Sequence, residues 1–218
     1  MGGWMEFHLY DLGRMKYKDA WDLQKRLVEQ RRSGSIPDTL LLVEHDHVIT
    51  FGKRSPPGGS NCYGIESFYV ERGGLATYHG PGQIVGYPIV KLKDRLSDIK
   101  KHIWRLEEVL IRCLNRFDIP GERIEGHPGI WVCGKKIASI GVAVNGDVTF
   151  HGFALNVNPE MKYFELIQPC GLTPNTMTSM SQTLGREITI NDVKPELIQI
   201  WEEVFTCTLS RISLQPTV

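Results

Sequence analysis

Apolar residues change their spacing several times along the chain, and each change marks an element. Over residues 19–32, Ala20, Leu23, Leu27 and Val28 recur near the helical period and stop before Ser33-Gly34, which predicts a first helix. Residues 39–44 and 47–51 are short apolar runs around His45-Asp46 and predict two strands. The glycine- and proline-rich residues 52–61 predict a flexible loop able to act as a lid. A long helix is expected over residues 97–117, capped by Ser97, with Ile99, Ile103, Leu106, Leu110, Cys113, Leu114 and Phe117 on one face and Pro120-Gly121 at its end. Residues 129–144 predict strands, and Asn145-Gly146 predicts a type I′ hairpin into residues 148–155. Residues 161–167 form a short amphipathic segment. A last helix, residues 193–205, takes Asn191 or Asp192 as its cap.

Strands and helices alternate irregularly and hairpins are present. The expected class is therefore α/β, a mixed sheet with helices on one side rather than a doubly wound parallel sheet. The 218 residues, 41% of them hydrophobic, suffice for one domain with a substantial core, and no linker divides them. A single domain over residues 1–218 is expected.

Charge and cysteine usage narrow the function. Lys and Arg together number 25 and so do Asp and Glu, so average charge marks neither a nucleic-acid binder nor a polybasic membrane protein. Attraction to an acidic partner then requires a local patch, for which Lys53, Arg54 and Lys135 are the candidates. The five cysteines (Cys62, Cys113, Cys133, Cys170, Cys207) are scattered, odd in number and without Cys-x-x-Cys spacing, against both a disulfide framework and a zinc site. No apolar signal core opens the chain and no stretch approaches the roughly 20 apolar residues of a membrane span. A cytoplasmic protein is expected.

The stretch from Arg72 to Gln83 holds the most chemistry. It packs Gly73, Gly74, Gly80 and Gly82 with Arg72, Tyr78 and His79 between β-like residues 68–70 and 84–90. A surface turn needs one or two glycines, so four among polar side chains indicate backbone held close to something else. The pattern Arg-Gly-Gly-x-x-Thr-Tyr-His-x-x-Gly-Gln-x-x-x-Tyr-Pro resembles the signature of lipoyl(octanoyl) transferases. Residues 134–141 (Gly-Lys-Lys-Ile-Ala-Ser-Ile-Gly), 151–158 (His-Gly-Phe-Ala-Leu-Asn-Val-Asn) and Pro169-Cys170-Gly171 resemble the family's other blocks, in order and at similar spacing.

The resemblance implies the fold of lipoate and biotin protein ligases and no cofactor or metal. It implies transfer of an octanoyl group from octanoyl-acyl carrier protein to lysines of lipoyl domains, namely those of 2-oxoacid dehydrogenase E2 subunits and the glycine cleavage H protein. No nucleic acid or membrane partner is implied. On residues alone, Cys113, Cys133 and Cys207 read as small buried hydrophobes. Cys170, between Pro169 and Gly171, is either a reactive thiol or an idle one in a sharp turn. The resemblance makes it the nucleophile and Lys136 its partner.

The chemistry suits that pair. Thiol–thioester exchange is close to thermoneutral, and an ammonium about 4 Å from a thiolate contributes roughly 4 kcal/mol at an effective dielectric near 20. Alternation along a strand also selects Lys136: it is expected to share a face with Ala138 and Ile140, leaving Lys135 at the surface. Arg72, Gly73, Gly74, Leu75, Ala76, Thr77, Tyr78 and His79 are implied to bind and position the acyl group. Ser139, Ile140, Gly141, Gly152, Phe153 and Ala154 are implied to line its site, with backbone N–H groups there available to an oxyanion. His79 is either a hydrogen-bonding site residue or a structural one. His45 and His47 lack a third ligand at metal spacing and read as turn or pocket-wall histidines. Two alternatives stay open: an ATP-dependent lipoate or biotin ligase, though residues 52–60 lack a Walker-type loop, and a transferase that moves octanoyl groups between lipoyl domains.

Overall fold

The computed structural model describes residues 4–57, 64–93, 95–167 and 176–213. Cys62 and the Pro169-Cys170-Gly171 turn lie outside the described residues, as does the end of the proposed lid.

Eleven strands are described in two sheets. The larger has eight strands in the order β11-β1-β2-β6-β10-β9-β8-β7. These are β1 (Met5–Arg14), β2 (Asp38–Glu44), β6 (Gln83–Ile89), β7 (Glu122–Ile124), β8 (His127–Val132), β9 (Lys135–Asn145), β10 (Val148–Asn156) and β11 (Cys207–Arg211). Only the β11-β1-β2 edge is parallel; from β2 onward the pairs are antiparallel, as the mixed-sheet expectation required. The smaller sheet sets β3 (Val48–Phe51) between β4 (Glu66–Tyr69) and β5 (Ala76–His79).

Helices cover both faces of the large sheet, which corrects the one-sided expectation. Alternation along β2 shows why. Leu40 and Leu42 join the core under α2 (Arg95–Asn115) and α4 (Ile190–Phe205), while Leu41 and Val43 join the core under α1 (Tyr17–Ser33). A strand apolar at every position needs cover on both sides. The short helix α3 (Met180–Leu184) contributes Met180 to the first of these cores.

Element ends follow local chemistry, with three corrections. Gly34, at φ 79°, closes α1 with its N–H on Arg31 O while Ser35 N–H reaches Gln30 O, as the Ser33-Gly34 stop implied. Helix α2 starts at Arg95, so Ser97 lies in its first turn and not at its cap. Helix α4 is capped by Thr189, with Asp192 accepting from the Thr189 N–H at 2.8 Å; Asp192 is the third residue of a capping box. The β9–β10 turn pairs Asn145 with Val148, so its central residues are Gly146 and Asp147, and only Gly146 (φ 62°) is left-handed. That is the φ pattern of a II′ turn. The I′ pattern falls instead on Cys133 (φ 49°) and Gly134 (φ 74°) between β8 and β9. Cys133 is consequently exposed, contrary to its reading as a buried hydrophobe, whereas Cys113 and Cys207 are buried.

Trp201 belongs to the first core. Its ring stacks on Phe205 at 4.0 Å and meets the edge of Phe7 at 6.2 Å, and it is fully buried. Its Nε1–H finds no partner among the described residues. Trp201→Ala should therefore lower the unfolding free energy by about 3–5 kcal/mol in urea titrations, and Trp201→Phe should cost clearly less because it removes an unpaired donor. Equal losses from the two variants would contradict this packing.

Candidate active site

Two bare positions form the floor of a slot. Gly141 of β9 lies opposite Gly152 of β10, and the next pair on the same face is Ser139 with Ala154, followed by Val85 on β6. Small side chains on three adjacent strands leave a trough on the α1 side of the sheet. Arg72, Gly73, Gly74, Thr77 and His79 roof it, Tyr17, Tyr87 and His151 wall it, and it encloses about 40 Å³. This is a narrow crevice, smaller than the 300–1,000 Å³ typical of small-molecule sites. A wider cleft of about 550 Å³ opens at the end of the sheet between Arg14, Glu44, Gly82 and Lys194, but it includes none of the glycine floor.

The buried Arg72 guanidinium holds the roof. It donates to Thr50 O at 2.7 Å and Thr50 Oγ1 at 2.9 Å on β3, and to Gly73 O at 3.0 Å and Leu75 O at 2.8 Å. Its stem lies over Gly141, where an added Cβ would come 3.0 Å from Arg72 Cδ. Gly52 permits the approach, because a Cβ there would come 2.5 Å from Gly74 O. The start of the expected lid is tied to this loop, through Lys53 N–H to Arg72 O at 3.0 Å and Arg54 N–H to Gly74 O at 3.1 Å. Lys53 and Arg54 themselves are exposed.

Lys136 reaches the α1 face of the sheet by a different route from the one alternation suggests. Ile130 pairs with Ala138 but Trp131 pairs with Lys136, so β9 carries an extra residue, Ile137, at that point. The bulge reverses the parity. Ala138 and Ile140 pack in the α2–α4 core, whereas Lys136 shares the face of Trp131, Gly129 and Ser139. Its Nζ lies 5.5 Å from the centre of the Trp131 ring. A Cβ on Gly129 would come 2.5 Å from Lys136 Cε, so that glycine makes room for the stem. Lys136 is 3% exposed, and Lys135, in the turn, is exposed. Met177 bridges Lys136 in parallel, and Thr178 N–H donates to Lys136 O at 3.0 Å.

Beyond one wall sits an imidazole–carboxylate pair. His151 occupies the left-handed region (φ 54°) inside β10, a conformation costing about 1–3 kcal/mol for a residue with a side chain. Its N–H donates to Gln24 Oε1 at 2.8 Å and its Nε2 lies 3.3 Å from Glu71 Oε2. Burial would raise the Glu71 carboxyl, but the His151 hydrogen bond and Lys25 outweigh it and hold it down at about 2. Burial lowers the imidazole of His151, so at neutral pH it donates as a neutral ring.

Among the residues singled out from the sequence, the slot brings together Arg72, Gly73, Gly74, Thr77, His79, Ser139, Ile140, Gly141, Gly152, Phe153 and Ala154. Leu75, Ala76, Tyr78 and Lys136 do not line it; Tyr78 turns into a separate core, its hydroxyl on His47 Nδ1 at 2.8 Å. The expected loop 72–83 contains the strand β5, because Ala76–His79 pairs with β3. Residues 139–141 and 152–154 lie in strands and give the slot bare surface and small side chains. Tyr17, Val85, Tyr87 and His151 also line the slot, and sequence reasoning does not assign them to it. Tyr87 and His151 belong to the family-like blocks, but nothing local to Tyr17 marks it.

A catalytic domain of the lipoyl protein ligase type is what this fold and slot define. The model of the lipoyl protein ligase A/B catalytic domain family matches residues 16–202. Among solved structures the chain is similar to a putative lipoate protein ligase from T. acidophilum with bound lipoic acid (TM-score 0.76, 16% identity, 97% of this chain and 91% of that one). It is also similar to lipoate-protein ligase A bound with ATP (TM-score 0.77, 17% identity, 96% and 90%). At those identities the likeness shows the fold. Sequence relatives are closer. A probable octanoyltransferase of Pyrobaculum calidifontis is 47% identical over 195 residues (89% of this chain, 83% of that protein), and the octanoyltransferase of Rubrobacter xylanophilus is 46% identical over 201 (88% and 90%). The octanoyltransferase of Alkaliphilus metalliredigens is 42% identical over 209 residues (92% and 96%). The chain belongs to this catalytic family, among its octanoyltransferases.

Buried neutral histidines make stability depend on acid. Burial lowers His45 and His102 to about 4 and also lowers His79 and His151. The unfolded chain binds these protons near pH 6.5 while the folded chain refuses them until lower pH. Their stabilisation is therefore complete above about 6.5 and falls as pH drops toward 4, by at most about 1.4 kcal/mol per pH unit for each histidine. Urea midpoints should decline from pH 7 to pH 5, and His102→Leu should flatten the decline. Midpoints constant across that range would contradict the burial.

Proposed function

We propose that this protein moves an octanoyl group from octanoyl-acyl carrier protein, through a thioester on Cys170, to the target lysine of lipoyl domains. The observation that carries the reading is the bulge at Ile137, which brings a buried ammonium onto the face of the glycine-floored slot. The family-like Pro169-Cys170-Gly171 turn and the octanoyltransferase relatives support it, as does the likeness of fold to an archaeal bi-partite lipoate protein ligase that was studied with its E2 lipoyl domain. Catalysis begins when the Cys170 thiolate, favoured by the Lys136 ammonium, attacks the thioester carbonyl of the donor. The tetrahedral intermediate collapses, the C–S bond to the carrier breaks, and the carrier sulfur takes the Lys136 proton and leaves as a thiol. The octanoyl chain lies along the slot, which widens from its about 40 Å³ to admit it, over Gly141 and Gly152 with Ser139, Ala154 and Thr77 around it.

Acceptor attack requires a neutral amine. Acylation consumes the thiolate charge that favoured the Lys136 ammonium, and in a desolvated site Lys136, neutral once its proton has gone to the carrier, accepts one from the incoming lysine. The amide C–N bond forms, the C–S bond to Cys170 breaks, and the thiolate is restored. No nucleotide takes part. Burial pushes the Cys113 and Cys207 thiols up to about 12, so neither competes with Cys170 as a thiolate at neutral pH.

Iodoacetamide alkylation followed over pH tests the pair. Lys136→Ala should slow alkylation of Cys170 at neutral pH by about tenfold or more and move its titration upward, while Lys135→Ala should leave both unchanged. Equal effects of the two substitutions would overturn the assignment of Lys136. A second test concerns order: velocity plots against donor at fixed acceptor concentrations should be parallel, as a ping-pong scheme demands. Intersecting lines, or a requirement for ATP, would favour a ternary or ligase mechanism instead.

A further inference from the structure

A chain of side-chain amides runs from the slot to the segment beside Lys136, and three backbone groups determine the orientation of its members. Gln83 is 1% exposed and Asn156 is 2% exposed. One end of the Gln83 amide meets the N–H of Gly80 at 3.3 Å, and the other meets Tyr78 O at 3.3 Å. A backbone N–H only donates and a carbonyl only accepts, so the first end is Oε1 and the second Nε2. Asn156 is oriented the same way: its Nδ2 faces Thr178 O at 2.9 Å, which leaves Oδ1 to accept from Gln83 Nε2 at 2.9 Å. Gln83 Oε1 also lies 3.3 Å from His79 Nδ1. Since that oxygen can only accept, Nδ1 of the neutral ring carries the proton and Nε2 carries the lone pair. The ring is further held by stacking against Tyr17, with 9° between the planes.

We infer that Gln83 and Asn156 are positioning residues for acyl transfer, holding His79 as its Nδ1–H tautomer in the slot while anchoring the Met177–Thr178 segment beside Lys136. The inference rests on the proposed role of Lys136 for its kinetic consequence alone. Both halves share one donor–acceptor chain. Asn156 grips Thr178 by its carbonyl, and the Thr178 N–H grips Lys136 by its carbonyl at 3.0 Å. The His79 lone pair defines the polar preference of the roof: it accepts an N–H or O–H from a substrate and repels a carbonyl or carboxylate oxygen. Buried amides with such partners hold a single arrangement, because a flip sets donor against donor and acceptor against acceptor. Neither residue touches the acyl chain in this scheme; each acts through a neighbour.

Ring-nitrogen NMR of histidine-labelled protein tests the first half, with the His79 signals identified by their loss in His79→Gln. Wild type should show Nδ1 as the protonated, pyrrole-type nitrogen and Nε2 as the pyridine-type one; an Nε2-protonated ring would overturn the inference without any variant having to fold. Gln83→Leu should move the proton to Nε2 or mix the two forms. Amide hydrogen exchange tests the second half. Asn156→Asp keeps size and the acceptor for Gln83 but removes the donor to Thr178, so the Thr178 amide should exchange about tenfold faster, and kcat should fall about tenfold with KM within about twofold. Unchanged exchange at Thr178 would overturn the anchoring role. Because tautomer and exchange are read without turnover, loss of the kinetic effect alone would count against Lys136 and leave the amide chain standing.

Discussion

One buried guanidinium joins the parts on which the site depends. Arg72 belongs to the loop before β5, takes its acceptors from Thr50 on β3 and from the carbonyls of its own loop, and lays its stem over Gly141 in the large sheet. Desolvating a charge of this kind is costly, and hydrogen bonds to several carbonyl oxygens offset that cost only in one geometry. The small sheet, the glycine loop and the slot floor are thereby fixed relative to one another. The glycines follow from the same constraint: Gly52 admits the loop carbonyls and Gly141 admits the arginine stem, so each is needed for a close approach.

Lys136 illustrates how far sequence alternation can be carried. Lys135 is at the surface as expected, but Lys136 does not share the face of Ala138 and Ile140. Strict alternation would put Lys136 in the α2–α4 core beside Ala138 and Ile140, an apolar setting that would leave its ammonium unsolvated. A single inserted residue, Ile137, turns it to the opposite face. A bulge is set by pairing with β8, which is non-local, and no feature of residues 134–141 announces it.

Other elements are legible to the extent that their signals are local. The period of α1 and its Gly34 stop, the apolar strands β2, β6 and β10, and the long face of α2 all follow from residues within one element. The edges of the sheet, β7 and β11, are not legible, since short strands with exposed residues carry no alternation of their own. Strand β5 is hidden for a different reason: four glycines nearby suggest loop, while pairing with β3 decides otherwise. Within the slot, the glycine and serine blocks are visible as motifs, but Tyr17 enters from α1, some fifty residues earlier in the chain than the loop it meets, and only the fold brings it there.

The central claim is that the acyl group rests on the protein between two partners, and intact mass measures it directly. After incubation with octanoyl-acyl carrier protein alone, the protein should gain the mass of one octanoyl group, absent in Cys170→Ala, and apo lipoyl domain should discharge it without ATP. Absence of the adduct during active turnover, or an adduct that lipoyl domain never discharges, would contradict the account.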